Sequence, residues 1–230
     1  TGTPTTTPAT QCSTKQLQSG EICYLLNGSS PYGEWGQKLG TDSYPVPGSD
    51  NTVYRGYKNC LNITYSNDQE ELSENPIHDY DNGICKACKA YQPATLTTDK
   101  YDIDGDDTKD EVYEIGNAGQ LYWFAGLVNG DKSVCDYDES TNTTGTQQDK
   151  AAWAVLTANI EVSGTWTPII YYNGTFDGKG YTISGLKNEN ANSPLGLFGT
   201  IGNNSEIRNV GIVNCEFSGT LVQVGGVCGE

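Results

Sequence analysis

Short apolar stretches broken by turn-forming residues characterise the C-terminal half of the chain. Between Asn173 and Leu186, the apolar residues Phe176, Ile183 and Leu186 are separated by small and turn-forming residues, with glycine at positions 174, 178, 180 and 185. A helix is disfavoured there, because each interior glycine costs ~1 kcal/mol relative to alanine. Over residues 181–184, Tyr and Ile alternate with Thr and Ser, which is the two-residue period of a strand. The pattern predicts short strands joined by sharp turns, as in one coil of a β-solenoid.

A glycine-flanked apolar motif recurs further along the same half. Gly196–Gly199 aligns with Gly226–Gly229 at a register of 30 residues, with apolar residues inside both motifs. Periods of roughly 20–50 residues indicate solenoids or other repeat arrays. Coils of this kind stack, because one coil cannot bury its apolar face alone. We therefore predict stacked coils in the C-terminal half of the chain.

The clearest helical pattern lies between Gly116 and Gly130. Its apolar residues recur at the i, i+3, i+4 and i+7 spacing of one helix face: Leu121, Phe124, Ala125 and Val128. Asn117 is a candidate N-cap, and Gln120 stands three residues later, as in a capping box. A helix that begins after Asn117 and ends near Gly130 is predicted.

Two further short helices are predicted from weaker patterns. One runs from Gln16 into a turn at Gly28, and its core candidates are Leu17, Cys23, Leu25 and Leu26. The other covers residues 151–156, an apolar Ala-Ala-Trp-Ala-Val-Leu run. We divide the chain into a Thr/Pro-rich linker (1–11), a small Cys-containing α+β module (12–98) and a helix-capped repeat region (99–230).

The charge balance is strongly acidic and limits the classes of partner. The 230 residues include 29 acidic and 13 basic side chains, for a formal net charge of −16. Nucleic acids and anionic membranes select for basic surfaces, so both are disfavoured as partners. Apolar runs also stay shorter than the ~18 residues expected of a membrane span.

The cysteine count points to an oxidising compartment. Eight cysteines, an even number, occur in a Thr- and Gly-rich acidic chain, as is typical of secreted disulfide-bonded proteins. Candidate N-glycosylation sequons occur at Asn27, Asn62, Asn142, Asn173 and Asn203. An extracellular or cell-surface location is expected.

The most specific chemical constellation is formed by Cys60, His78, Cys85 and Cys88. The order is Cys-x17-His-x6-Cys-x2-Cys, and His78 is the only histidine of the chain. Three thiolates and one imidazole complete a tetrahedral Zn²⁺ site, and such a closed site is structural rather than catalytic. Disulfides are the alternative, with His78 then an ordinary surface side chain.

A second candidate metal site lies in the acidic segment 101–111. Asp102, Asp104 and Asp106 alternate as in an EF-hand loop. The match is incomplete, because glycine stands at the fourth position instead of the sixth and Tyr113 occupies the twelfth. A weak Ca²⁺ site and a solvated acidic turn are both compatible with this segment.

The common catalytic motifs are missing from the sequence. One histidine cannot form a His-Glu-x-x-His metallopeptidase site, and neither a Gly-x-Ser-x-Gly elbow nor a phosphate-binding loop occurs. A glycosidase or lyase needs only two acids, so a carbohydrate-active β-helix stays open. We predict no catalytic residue and no organic cofactor.

From Tyr113 to the end, the chain resembles the GLUG-type repeat proteins. The resemblance is most specific over residues 165–186, which contain Trp-Thr-Pro-Ile and the glycine-rich stretch described above. GLUG repeats occur in adhesin-like surface proteins of gut anaerobes and in the β-helical parts of IgA-specific metallopeptidases. Residues 12–90 resemble the Cys-containing segment that often precedes such repeats. The resemblance implies a mainly β protein with a right-handed parallel β-helix, short helices at its N-terminal end and no catalytic residue.

Three functional hypotheses follow from these patterns. The first is a non-enzymatic, adhesin-like surface module that binds a host or cell-surface protein or glycan, or serves as a stalk. The second is a subunit of an extracellular filament that binds copies of itself, because the repeats stop in mid-pattern at Glu230 and leave an open strand edge. The third is the carbohydrate-active β-helix.

Overall fold

The computed structural model describes residues 11–136, 145–191, 194–219 and 223–230 of the chain. The predicted linker, apart from Gln11, and the Asn142 sequon lie outside these ranges. Within them the chain is mainly β, as the sequence predicts, and has three α-helices. It divides into two compact units, Thr1–Asp79 and Tyr80–Glu230, and the predicted boundary at residues 98/99 falls inside the second. No helix in the described ranges has the length and apolar character needed to cross a bilayer.

The first unit consists of a helical N-terminus followed by small hairpins. Its elements are α1 (Thr14–Ser19), α2 (Glu21–Leu26), β1 (Trp35–Gly36), β2 (Val46–Pro47), β3 (Tyr54–Tyr57), β4 (Ile63–Ser66) and a 3₁₀ turn (Gln69–Glu71). Strand β1 pairs antiparallel with β2, and β3 pairs antiparallel with β4.

The helix predicted to begin at Gln16 is present but is broken in two at Gly20. Gly20 has a φ of 92°, in the left-handed region that glycine adopts without strain, so α1 ends there and α2 begins. Cys23 is buried, as predicted, whereas Leu25 and Leu26 are about half exposed. The break leaves two helices of six residues, and α2 buries only the face that carries Cys23.

The second unit contains the remaining strands and the longest helix. Its elements are β5 (Tyr80–Asp81), β6 (Ile84–Cys85), β7 (Thr95–Thr97), β8 (Val112–Ile115), α3 (Ala118–Asn129), β9 (Trp153–Leu156), β10 (Ile160–Glu161), β11 (Thr175–Asp177), β12 (Thr182–Ser184), β13 (Lys187–Ala191), β14 (Glu206–Arg208), β15 (Gly211–Val213) and β16 (Glu216–Gly219).

Three sheets of the second unit are built by parallel pairing. Strands β8, β9, β11 and β14 lie side by side in that order, and β7 adds antiparallel to β8. A second sheet has the order β10–β12–β15, and a third pairs β13 with β16. An isolated parallel bridge joins Phe198 to Cys228, the two positions that the sequence repeat aligns.

The register stacks apolar residues directly on apolar residues. Phe176 of β11 pairs with Ala154 of β9 on one side and with Ile207 of β14 on the other. In the second sheet, Ile183 pairs in the same way with Ile160 and Ile212. Each strand therefore covers the apolar side chain of its neighbour, which is how stacked coils bury faces that no single coil can bury.

Aromatic side chains fill the centre of this core. Phe124 of α3 lies edge-on to Tyr172, with ring centroids 6.2 Å apart, and it also contacts Phe176. Tyr172 stacks on Phe198 at 5.0 Å, and all four rings are fully buried. The Tyr172 hydroxyl donates to the Ala152 carbonyl at 2.8 Å, so its polar atom is satisfied inside the core.

Helix α3 confirms the clearest prediction from the sequence. The Asn117 side chain accepts from the Gln120 N–H at 2.9 Å and caps the helix as expected. The capping box itself differs, because the Gln120 side chain accepts from the Gly116 N–H at 2.8 Å. Phe124 and Leu121 are fully buried, so the predicted apolar face does pack inward.

The prediction of a short helix over residues 151–156 is wrong. Residues Trp153–Leu156 form strand β9, which lies between β8 and β11. A short apolar run is ambiguous between a helix and a strand that is buried on both faces. Strand β9 is favoured because it pairs with β8 on one edge and with β11 on the other. Its residues Ala154, Val155 and Leu156 are almost completely buried, as expected of a central parallel strand.

We predict that Phe124→Ala destabilises the protein by ~3–5 kcal/mol, because it leaves a cavity where three aromatic rings converge. Leu96→Ala on strand β7 is the matched control, since Leu96 is 43% exposed, and its effect should stay within ~0.5 kcal/mol. Chemical denaturation monitored by tryptophan fluorescence measures both. Equal effects of the two substitutions would contradict the assignment of Phe124 to the core.

Candidate functional site

A tight hairpin presents the Cys-x2-Cys motif. Strands β5 and β6 pair antiparallel, with Tyr80 opposite Cys85 and Asp81 opposite Ile84. The two residues that connect them, Asn82 and Gly83, have φ values of 46° and 75°. Positive φ at both central positions is the type I′ turn, for which Asn-Gly is the strongest sequence signal. The sequence analysis did not use this Asn-Gly signal and so did not predict the hairpin.

The segment after the hairpin folds into one closed turn that carries both thiols. The Cys85 N–H donates to the Ala90 carbonyl at 2.9 Å, and the Lys89 N–H donates back to the Cys85 carbonyl at 3.0 Å. Lys89 has a φ of 65°, a left-handed conformation that lets the chain reverse directly after Cys88. Backbone bonds therefore hold Cys85 and Cys88 on the same turn.

The structure brings the four predicted zinc ligands together. One ligand atom from each of Cys60, His78, Cys85 and Cys88 lies within 4.8 Å of the others. Cys85 is buried, and the other three are half-buried. The arrangement offers three sulfurs and one imidazole nitrogen to a single ion.

The hairpin is anchored on the N-terminus of α3. The Asn82 side chain accepts from the Ala118 N–H (3.1 Å) and donates to the Glu161 carbonyl (2.9 Å). The Asn82 carbonyl also accepts from the Gly119 N–H at 2.9 Å. A Cβ on Gly119 would overlap the Gly83 carbonyl, so this close approach requires glycine at position 119.

The acidic segment forms a compact loop with its carboxylates turned toward one another. Oxygens of Asp102, Asp104 and Asp106 lie within 4.8 Å of one another. Asp107, at the sixth position of the EF-hand pattern, has a φ of 68° and supplies the turn that glycine usually provides there. The side chains already accept backbone N–H groups, as in the Asp102 bond to Gly105 (2.7 Å). Calcium binding by this loop stays a prediction.

Arg208 ties this loop to a buried carboxylate. Its guanidinium donates to the Ile103 carbonyl (2.7 Å) and to the Asp177 carboxylate (3.0 Å). Asp177 is 3% exposed and also accepts from the Lys179 N–H (2.8 Å) and the Asn209 amide (3.1 Å). Burial alone would raise the pKa of Asp177, but these donors outweigh it and lower that pKa to about 2.

An open cleft of about 280 Å³ combines aromatic rings with carboxylates. It is lined by Asp110, Glu111, Tyr113, Asp149, Ala151, Ala152 and Trp153. Burial, together with the charges of Asp149 and Glu111, raises the pKa of the Tyr113 phenol, which therefore stays a hydrogen-bond donor at neutral pH. The sequence analysis missed this cleft, because it assigned Trp153 to a helix, whereas Trp153 begins strand β9 and pairs with Val112 of β8.

Comparisons with known proteins add no family assignment. No family model matches the sequence, and the searches of curated proteins and of solved structures find no match.

We predict that Asp177 makes stability pH-dependent below pH ~4. Its folded pKa lies below the unfolded value of ~3.9, so the stabilisation is complete above that value and is lost as the pH falls toward 2. Asp177→Asn should lower the unfolding free energy by on the order of 2 kcal/mol at pH ~6, and the gap to wild type should narrow toward pH ~2. Asp50→Asn, at an exposed position, is the control. Denaturant titrations at several pH values measure the difference, and a pH-independent gap would contradict the account.

Proposed function

We propose that this chain is a non-enzymatic, extracellular surface module of the adhesin-like kind, with a parallel β-helix as its scaffold. Parallel pairing between strands from successive parts of the chain, which occurs in three sheets, supports the scaffold. The right-handed coil and the kinship with GLUG-type repeats are part of the same proposal. They rest on the glycine-rich stretch at residues 173–186 and on the repeat that aligns Phe198 with Cys228.

The observation that carries a recognition role is the open cleft that Tyr113 and Trp153 line together with three acidic residues. Aromatic rings bury the apolar C–H face of a sugar, while carboxylates and a phenol accept and donate hydrogen bonds to its hydroxyls. The surrounding charge of Asp110, Glu111 and Asp149 disfavours sialylated or sulfated glycans by like-charge repulsion. The ligand class proposed is therefore a neutral or amine-bearing glycan of a host or cell surface.

The carboxylate of Asp177 stabilises the fold and is unsuited to acid catalysis. Among the described side chains, Asp177 is the only acidic one that is buried. Its depressed pKa keeps it ionised, and its oxygens are bonded to Lys179, Arg208 and Asn209. A general acid needs the opposite, a raised pKa and access to the leaving group. This is why recognition is preferred to hydrolysis.

A glycan array with the labelled chain tests the recognition role. We expect binding to neutral or amino-sugar glycans, and at least ~10-fold weaker binding by the double variant Glu111→Gln/Asp149→Asn, which removes charge-assisted hydrogen bonds of ~1.5–3 kcal/mol each. Glu70→Gln/Glu74→Gln, two exposed acids of the first unit, is the control. Array binding that is unchanged in the cleft variant, or no binding at all, contradicts the cleft as the site. Release of reducing sugar from a bound glycan would instead support the carbohydrate-active alternative.

Self-assembly into a filament is the second candidate, and one observation favours it. Strands β14, β15 and β16 each stand last in their sheets within the described ranges. Their outer backbone groups offer a template for a further strand, from another coil or from a second copy.

If copies do assemble through this edge, sedimentation velocity should show mass that increases with protein concentration. Val213→Lys should block the assembly, because Val213 lies on edge strand β15 and is 42% exposed, and a charged side chain on an edge strand disfavours pairing with a further strand. Tyr181→Lys is the control, because Tyr181 is also exposed but directly precedes β12, which has a paired strand on each side. A monomer at the highest concentration reached would remove the filament from consideration.

A further inference from the structure

We infer that Cys60, His78, Cys85 and Cys88 bind one structural Zn²⁺ ion, which is a metal site beyond the proposed recognition role. The four side chains supply the Cys₃His donor set of closed structural zinc sites. With four protein ligands, no coordination position is left for a substrate or an activated water. The ion would therefore stabilise the fold.

The observed distances suit a tetrahedral ion. Zn–S bonds of ~2.3 Å place the corners of the tetrahedron ~3.8 Å apart. The ligand atoms of the cluster lie within 4.8 Å of one another, so small side-chain movements are enough to close the site. The closed turn that carries Cys85 and Cys88 fixes two of the four corners through backbone hydrogen bonds.

The number of sulfurs favours a metal over a disulfide. A disulfide joins two of the three cysteines and leaves the third sulfur and the imidazole without a role in the bond. Zinc engages all four groups with one ion and satisfies each of them. Because Cys60 and His78 converge on the same point as the Cys-x2-Cys turn, the ion accounts for the whole cluster.

Two lysines accompany the turn that carries Cys85 and Cys88. Three thiolates and one Zn²⁺ sum to a net charge of −1, which nearby cations stabilise. The chain has only 13 basic residues, and two of them, Lys86 and Lys89, flank Cys88 within the turn.

The test uses the full chain secreted into the bacterial periplasm and purified without chelator, so that the cysteines pass through an oxidising compartment. Elemental analysis should find one zinc per chain, and mass spectrometry of the denatured, alkylated protein should find Cys60, Cys85 and Cys88 as thiols. Replacement of the bound ion by Co²⁺ should give a thiolate-to-metal charge-transfer band and the visible bands of a tetrahedral site. This spectrum reports the ligands and the geometry in the wild-type chain.

Two variants sharpen the result. Cys88→Ser and His78→Ala should each weaken zinc binding, measured against a colorimetric chelator, by more than the ~10- to 100-fold typical of losing an outer-shell partner. Cys215→Ser is the matched control, because Cys215 is an exposed free thiol outside the cluster, and its zinc content should equal that of wild type. A zinc-free wild-type chain, a disulfide that joins two of the cluster cysteines, or a Co²⁺ spectrum without thiolate bands would each overturn the proposal.

Discussion

The second unit depends on one constraint, which is that none of its short strands can bury its apolar side chain without a neighbour stacked on it. Phe176 and Ile183 are each covered from both sides by the strands before and after them. Helix α3 closes the same core through Phe124, whose ring meets Tyr172 and Phe176. Strands of three residues have little stability alone, so the core and the parallel sheets must form together.

Close stacking also determines where glycine and charge are placed. A Cβ on Gly178 would come within 2.5 Å of the Asn209 carbonyl oxygen, so the turn after β11 approaches the next turn more closely than other residues permit. The carboxylate of Asp177 lies beside this contact, forms an ion pair with Arg208 and accepts a hydrogen bond from the Asn209 amide of the following turn. The hydrogen-bond partners of Asp177 therefore come from the next turn, just as the apolar cover of Phe176 comes from the next strand.

The elements that could be predicted from the sequence are those with a complete local signal. Helix α3 has its apolar period, its Asn117 cap and its glycine stop within a single stretch of chain. Strand β9 was assigned to a helix, because Trp153–Leu156 carries no periodicity and its identity is decided by pairing with strands far along the sequence. The cleft at Tyr113 and Trp153 was missed for the same reason, since that pairing creates it.

The candidate metal ligands could be recognised from the sequence because cysteine and histidine are rare and chemically distinctive. The spacing of Cys85 and Cys88 indicates a single turn from sequence alone, whereas the convergence of Cys60 is a property of the fold. The acidic loop shows the limit of motif matching, because Asp107 adopts the left-handed conformation at the position where the pattern expects glycine. A mismatch in residue type there does not imply a mismatch in backbone geometry.

The central claim is that α3 and the parallel sheets share one cooperative core. Native-state hydrogen exchange tests it most directly, by comparing the amides of Leu127 and Val128 in α3 with those of Phe176 and Ile183 in the sheets. The account predicts that all four exchange only through the same global unfolding event, with one free energy and one denaturant dependence. Exchange of the α3 amides at a clearly lower free energy, while the sheet amides stay protected, would contradict it.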